Sequence, residues 1–253
     1  MPYIIVRFWG WVITDSHGDA QKCMVTTANN GHVRRCVVLG AAPVGAHALR
    51  AARLCPGDLL LCADGGWRHA RREGLLPHAL IGDGDSGGAG AGAGAGADIP
   101  EGVEIVRLPR DKDITDTHAC VDYGLAKGCG VFLLLGCTGG PRLDHFLGNL
   151  GLLEYCAERG APARLLDDDN LILLHTGGRL ALPEARGYRY LSLLALDRCC
   201  EGVTLEGLRF PLQGAALARA RPMALSNEPL PGADTVAVTL AGRALVMLSE
   251  RNE

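Results

Sequence analysis

No stretch of this 253-residue chain is apolar for long enough to cross a bilayer, so the sequence predicts no membrane-spanning helix. No Gly-x-x-x-x-Gly-Lys-Ser/Thr motif occurs, which excludes nucleotide chemistry of the P-loop kind. A Gly-x-Ser-x-Gly elbow is also lacking, leaving a serine hydrolase unsupported. His145 has no histidine or cysteine partner at ligand spacing, which argues against zinc. Basic runs and basic–aromatic patches are missing, and a net charge of −3 offers nothing to attract nucleic acid. Ten cysteines are present, but no Cys-x-x-Cys pair, and the adjacent Cys199-Cys200 cannot easily bridge each other. They read as reduced, mostly buried thiols of a cytoplasmic protein.

What remains is ordinary for a globular protein: 48% hydrophobic and 21% charged residues, enough to bury a core. The segment before Arg35 lacks periodicity after an apolar start interrupted by Arg7. It has neither a basic n-region nor a small-residue cleavage site. Residues 1–34 are therefore expected to be an extension outside the fold, with Met24 as an alternative start.

From Arg35 short apolar runs alternate with helical stretches. Cys36–Leu39, Leu59–Ala63, His78–Ile81, Val103–Leu108 and Val131–Leu135 read as buried strands. Ala46–Leu54, Trp67–Glu73, Thr117–Lys127 and Leu143–Arg159 read as the helices between and after them. The last of these places Leu143, Leu147, Leu150 and Leu153 at helical intervals. Such alternation predicts right-handed βαβ units around a parallel sheet, an α/β domain over residues 35–167. Beyond it, short strand-like runs separated by Gly and Pro turns predict an antiparallel β-sandwich or barrel over 168–253.

The acidic stretch from Ile81 to Asp116 lies at the sheet edge where ligands bind in such folds. Asp83 and Asp85, two residues apart at a strand end, point to the same side and can grip one ion together. Hard oxygen ligands suit Mg²⁺, which completes its shell with water and substrate phosphates; two polar surface loops are the alternative reading. Asp111, Asp113 and Asp116 form the second acidic cluster. Between the clusters, residues 87–97 alternate Gly and Ala and are expected to form a flexible surface insertion. Gly82-Asp83-Gly84-Asp85-Ser86-Gly87 fits Gly-x-Gly-x-x-Gly formally, but no helix follows it, which speaks against a Rossmann dinucleotide site. The Gly136–Gly140 loop with Arg142 offers backbone and a two-pronged guanidinium to phosphate oxygens, or else is a plain turn with a surface arginine. Asp64-Gly65-Gly66 permits close backbone approach to a ligand, or else is an ordinary βα turn.

Taken together, Ala63-Asp64-Gly65-Gly66, Gly82-Asp83-Gly84-Asp85-Ser86, Asp111-Lys112-Asp113-Ile114-Thr115-Asp116 and Gly139-Gly140-Pro141-Arg142-Leu143-Asp144-His145 resemble the thiamine pyrophosphokinase family in order and approximate spacing. Gly207-Leu208 and Ser226-Asn227-Glu228 resemble its C-terminal signature. The resemblance implies Mg²⁺-dependent transfer of diphosphate from ATP to the thiamine hydroxyl, with release of AMP. It implies a nucleotide-binding Rossmann-like domain, a thiamine-binding β-sandwich, and a homodimer with active sites between subunits. By motif, metal ligation falls to Asp83, Asp85, Asp111 and Asp116, and catalytic work to Asp83, Asp85, Asp113 and Asp116. Asp64, Gly65, Gly66, Lys112, Thr115, Gly139 and Arg142 are implied at the nucleotide, and Asp144, Ser226 and Asn227 at thiamine.

The sequence departs from the family pattern in four places. Gly84 replaces the usual Phe between the first two aspartates, and Trp67-Arg68 replaces a small residue and Asn. Pro141 interrupts the run from Gly-Gly into Arg, and the Gly/Ala tract occupies a normally more complex loop. None removes a carboxylate. A glycosyltransferase with an Asp-x-Asp metal site would leave the second cluster and Ser226-Asn227 without a role. A catalytically silent nucleotide- or thiamine-binding module would not need every aspartate.

Overall fold

The computed structural model describes residues 25–26, 32–83 and 99–252, and the Gly/Ala tract lies outside them. In chain order the strands of the first part are β1 (Val25–Thr26), β2 (His32–Leu39), β3 (Leu59–Ala63), β4 (Ala79–Gly82), β5 (Glu104–Arg107), β6 (Cys129–Leu135) and β7 (Ala163–Leu166). Its helices are α1 (Ala46–Ala52), α2 (Trp67–Arg72), α3 (Asp116–Ala126) and α4 (Leu143–Glu158). From Leu171 onward come β8 (Leu171–His175), β9 (Gly178–Ala181), β10 (Tyr188–Ala195), β11 (Cys199–Glu206), β12 (Ala215–Ala218), β13 (Ala237–Ala241) and β14 (Ala244–Arg251). The chain divides into two compact units at Asp168/Asp169. β2 begins at His32, three residues before the pattern change at Arg35.

In the first unit the parallel strands run in the order β7-β6-β2-β3-β4-β5. The chain moves outward from β2 to β5, then returns to β6 on the other side of β2. The topological switch therefore falls between the C-terminal ends of β2 and β6, where open α/β sheets bind ligands. Cys36–Leu39, Leu59–Ala63 and Leu133–Leu135 are buried, as continuous apolar runs in a sheet covered on both faces require. Just past the two strands, Gly40 and Gly136 cross closely. A Cβ on Gly40 would lie 2.3 Å from the Gly136 carbonyl oxygen, and one on Gly136 would lie 2.5 Å from that of Gly40. The Gly40 N–H donates to Leu135 O at 2.7 Å, tying the crossing together.

A buried ion pair anchors the β2–α1–β3 turn. Arg35 donates through Nε to Asp58 Oδ1 at 2.9 Å and through Nη2 to Asp58 Oδ2 at 2.5 Å. Its remaining donors reach Ala52 O and Arg53 O, while Asp58 Oδ2 also accepts from Cys55 N–H. Every charge in this pair is thus hydrogen-bonded, the condition under which a buried pair holds.

The second unit contains two antiparallel sheets, β10-β14-β8 and β12-β11-β13-β9. Its core comes from alternate residues such as Leu191, Leu193, Val203, Leu205, Val238 and Leu240. β12 has the sequence Ala-Ala-Leu-Ala, which by propensity suits a helix; pairing with β11 overrides it. His175, at the end of β8, is buried, with Nε2 3.1 Å from Gly178 O.

Burial lowers the His175 pKa from its usual value, only partly offset by hydrogen bonds to the Gly178 and Val238 backbone. His69 is shifted in the same direction, again chiefly by burial. The unfolded chain takes up these protons near pH 6.5 and the folded chain does not, so stability falls as pH drops below about 6.5. Urea midpoints measured at pH 7.5 and 5.5 are expected to fall in the wild type. In His175→Gln the drop is expected to be smaller; an equal drop rejects this origin.

Candidate active site

Three carboxylates meet at the C-terminal edge of the parallel sheet, each carried by a different loop. Asp64 follows β3, Asp83 follows β4, and Asp116 opens α3. One oxygen from each lies within 4.8 Å of the others. Glycines permit the approach. Gly66 abuts β2 so closely that a Cβ there would lie 1.9 Å from Leu39 O. A Cβ on Gly82 would lie 3.0 Å from that of Asp64. Asp64 itself adopts a left-handed backbone conformation, φ 40°, which a short polar side chain tolerates better than most. Asp116 is fixed from the other side by Thr115, whose Oγ1 caps α3 by accepting from His118 N–H at 3.2 Å.

Lys112 sits against this trio. Its Nζ lies 3.1 Å from Asp116 Oδ1 and 3.5 Å from Asp83 Oδ2, with the side chain 14% exposed. Asp64 Oδ1 and Asp116 Oδ1 are nevertheless buried without a well-formed hydrogen bond; Lys112 donates to Asp83 Oδ2 at 3.5 Å and pairs with Asp116 Oδ1 by charge. Burial raises the Asp116 pKa above the usual carboxylate value; Lys112 opposes the shift, while the charges of Asp64 and Asp83 reinforce it. The Lys112 pKa is raised too: burial pulls it down, but the carboxylates of Asp116 and Asp83 outweigh that. Two orphaned buried carboxylate oxygens beside a third carboxylate form a donor set suited to a hard divalent cation.

The trio opens into a cleft of about 520 Å³ at the switch point. Loops after β2, β5 and β6 form its walls, through Ala41–Pro43, Lys112, Ile114–Thr117 and Gly139–Arg142. Gly139 and Gly140 both have positive φ, 69° and 75°, so this loop demands glycine backbone. Asn149 on α4 donates to Cys137 O at 2.8 Å from a buried position, and Thr138 donates to Asp167 Oδ2 at 2.6 Å; together they fasten the loop's base. Arg142 at the rim donates to Asp144 through Nε (2.9 Å) and Nη2 (2.6 Å). This pairing holds the Asp144 carboxyl well below its ordinary pKa. Both side chains are exposed, so the pair is open to exchange with a phosphate.

Several sequence-based assignments shift. Asp64, assigned to the nucleotide, stands instead among the carboxylates. Asp111 does not join them: it is exposed and outside the cleft lining, as is Asp113, because both precede the capped start of α3 that holds Asp116. Asp85 and Gly84 lie outside the described residues. Trp67 is buried in the core and does not line the cleft. Gly65 and Gly66 shape the turn beside Asp64, while Lys112, Thr115, Gly139 and Arg142 line the cleft. The last strand-end signal, an Asp directly after β3, was available in the sequence as the marker for Asp64.

In the second unit Ser226 has a left-handed backbone, φ 56°, and its N–H donates to Ser192 Oγ at 2.9 Å. Asn227 is buried, and three hydrogen bonds tie its amide to backbone. Oδ1 accepts from Phe210 N–H (2.9 Å) and Glu228 N–H (3.0 Å), while Nδ2 donates to Phe210 O (2.7 Å). Asn227 therefore holds the Ser226 and Phe210 loops in place, its side chain already spent on backbone. Phe210, Met223 and Leu225 nearby in the sequence leave large apolar side chains exposed, at 58%, 54% and 48%.

A carboxylate trio, a lysine and a glycine loop with an arginine, gathered at the switch point of a parallel sheet, define a site of the phosphoryl-transfer class. Residues 55–165 match the family model "Thiamin pyrophosphokinase, catalytic domain" and residues 179–243 match "Thiamin pyrophosphokinase, vitamin B1 binding domain". The chain belongs to the thiamine pyrophosphokinase family, whose reaction is diphosphate transfer from ATP to thiamine. A curated relative, the thiamine pyrophosphokinase of Bacillus subtilis strain 168, is 31% identical over 118 residues. That alignment takes in 47% of this chain and spans about half, 55%, of the relative's length. Among solved structures, the thiamine pyrophosphokinase of Bacillus subtilis superposes with a TM-score of 0.74 at 23% identity, over 87% of this chain and 100% of that one. The Geobacillus thermodenitrificans structure gives 0.73 at 25%, over 87% and 99%. The Candida albicans structure gives 0.68 at 12%, over 92% and 98%, a likeness of fold alone.

Proposed function

We propose that this chain transfers the diphosphate of ATP to the hydroxyl of thiamine, giving thiamine diphosphate and AMP. The observation that carries the reading is the trio Asp64, Asp83 and Asp116 with its two orphaned buried oxygens, set in the catalytic-domain match. These residues would hold Mg²⁺, with Asp85 as a further proposed ligand. Such an ion would supply Lewis-acid stabilisation of the charge that develops on the transferring diphosphate. The chain's own groups do the positioning. Lys112 and Arg142 neutralise the phosphates, and the backbone of Gly139 and Gly140 lies alongside. Asp113 is proposed to assist catalysis from outside the cleft lining, and Asp144 to exchange its hold on Arg142 for the cationic thiamine ring. Ser226, steadied by Asn227, is proposed as a thiamine contact.

A homodimer is part of the proposal. It rests on the family resemblance and on the exposed Leu143 and Leu147 of α4, apolar side chains that a second copy would cover. The working compartment is proposed to be the cytoplasm, where the cysteines, free in each described case, stay reduced. No helix among the described residues is long and apolar enough to cross a membrane.

The test is direct. Incubation of the full chain with ATP, Mg²⁺ and thiamine should yield AMP and thiamine diphosphate in equal amounts. Ligand binding without AMP would instead identify a silent binding module. Turnover of a sugar nucleotide, with none of ATP and thiamine, would identify the glycosyltransferase reading.

A further inference from the structure

We propose that Lys112 is a resident counter-ion of the acidic trio that must leave the carboxylates for a divalent cation to settle there, and so couples metal binding to nucleotide binding. The inference rests on the reading of this cleft as a metal–nucleotide site. Its basis is that one ammonium reaches two of the three carboxylates, Asp116 at 3.1 Å and Asp83 at 3.5 Å. Those same carboxylates, with Asp64, form the donor set described above. A divalent ion seated among these oxygens and an ammonium a few ångströms away repel each other, strongly so where little water screens them. The Lys112 side chain is 14% exposed, so screening there is weak.

The lysine is also held in a way that permits exchange. Its hydrogen bond to Asp83 Oδ2 is long, at 3.5 Å, and its 3.1 Å approach to Asp116 Oδ1 leaves that oxygen's hydrogen bond unmade. An ammonium on a flexible four-carbon stem can swing to a new partner, whereas a planar guanidinium in a bidentate pair is fixed in direction. Phosphate oxygens entering the cleft are such a partner, since Lys112 lines its wall. Metal alone must therefore displace Lys112 against its ion pairs. Metal arriving with a nucleotide gives Lys112 somewhere to go. Because coupling between two ligands is reciprocal, the nucleotide tightens the metal as much as the metal tightens the nucleotide.

The experiment titrates Mn²⁺ into the full chain, followed by electron paramagnetic resonance of the free ion, with and without α,β-methylene-ATP. In the wild type the analogue is expected to tighten Mn²⁺. In Lys112→Met, Mn²⁺ alone is expected to bind at least about tenfold more tightly than in the wild type, and the analogue's further tightening, read against a protein-free Mn²⁺–analogue control, to be smaller than in the wild type. Lys112→Gln serves as the second variant, and thermal melts by circular dichroism check that each is folded. Asp116→Asn separates the two levels of the argument. If Asp116→Asn loses Mn²⁺ but Lys112→Met binds it no better than the wild type, Lys112 is no competitor and the proposal falls. If Asp116→Asn leaves Mn²⁺ binding unchanged, the trio is not the metal site and the underlying reading falls with it.

Discussion

Asp116→Asn is expected to slow AMP release at least about 100-fold at saturating substrates, with an unchanged circular dichroism spectrum. The substitution keeps the side chain's shape and removes the negative charge. Asp116 combines a buried oxygen lacking a hydrogen bond with a burial-raised pKa, and Lys112 is the cation beside it. Asp64→Asn is expected to behave alike, because Asp64 Oδ1 is orphaned in the same way. Asp111→Asn, on an exposed residue, is expected to stay within a few-fold of the wild type. Steady-state rates across a Mg²⁺ series check all three. Near-normal turnover by Asp64→Asn at low Mg²⁺ would return that residue to the nucleotide role assigned from sequence.

The second large effect concerns stability. Arg35→Met is expected to cost about 3–5 kcal/mol, because it strands the Asp58 carboxylate in the interior with its charge unmatched. Asp58 and Arg35 are each 6% exposed, so water cannot take over the lost partner. Guanidinium-chloride denaturation measures the loss. The double replacement Arg35→Met with Asp58→Leu is expected to recover much of it, since removing both charges removes the uncompensated one. A double variant as unstable as the single one would show that the pair's hydrogen bonds to the Ala52, Arg53 and Cys55 backbone matter more than charge balance.

The parallel sheet was legible because a strand buried on both faces leaves a plain mark: continuous runs such as Cys36–Leu39 and Leu59–Ala63, closed by glycine or Asp-Gly-Gly. Edges were less so. His32, Val33 and Arg34 begin β2 with a single apolar residue between two basic ones, too little for a hydrophobic pattern to detect. β12 reads as a helix-former and is a strand only through its partner β11. Helical spacing found α4 but said nothing of its surroundings: Leu143 and Leu147 are 68% and 64% exposed, whereas Leu153 is buried. At the site, the motif residues Asp64, Asp83, Lys112 and Gly139 follow β3, β4, β5 and β6, at one edge of the sheet. Which carboxylates converge was a matter of three dimensions. Asp64 and Asp116 are 52 positions apart in the chain and meet only because β3 and α3 are set by the sheet. Asn227, likewise, carries the family signature while its side chain is committed to the Phe210 backbone, a division of labour invisible without the hydrogen bonds.

Asp83 closes β4 and Asp116 opens a capped helix, so each carboxylate has its own foundation. Between them, the length and composition of residues 87–97 alone are then expected to tolerate change, because Asp83 is set by β4 and Asp116 by α3 and its Thr115 cap. A segment as simple as alternating glycine and alanine can stand there at little entropic expense, since loop closure depends only weakly on length. For protein engineering this makes the interval a natural insertion point, where a tag or sensor module can be grafted beside the active site without redrawing it.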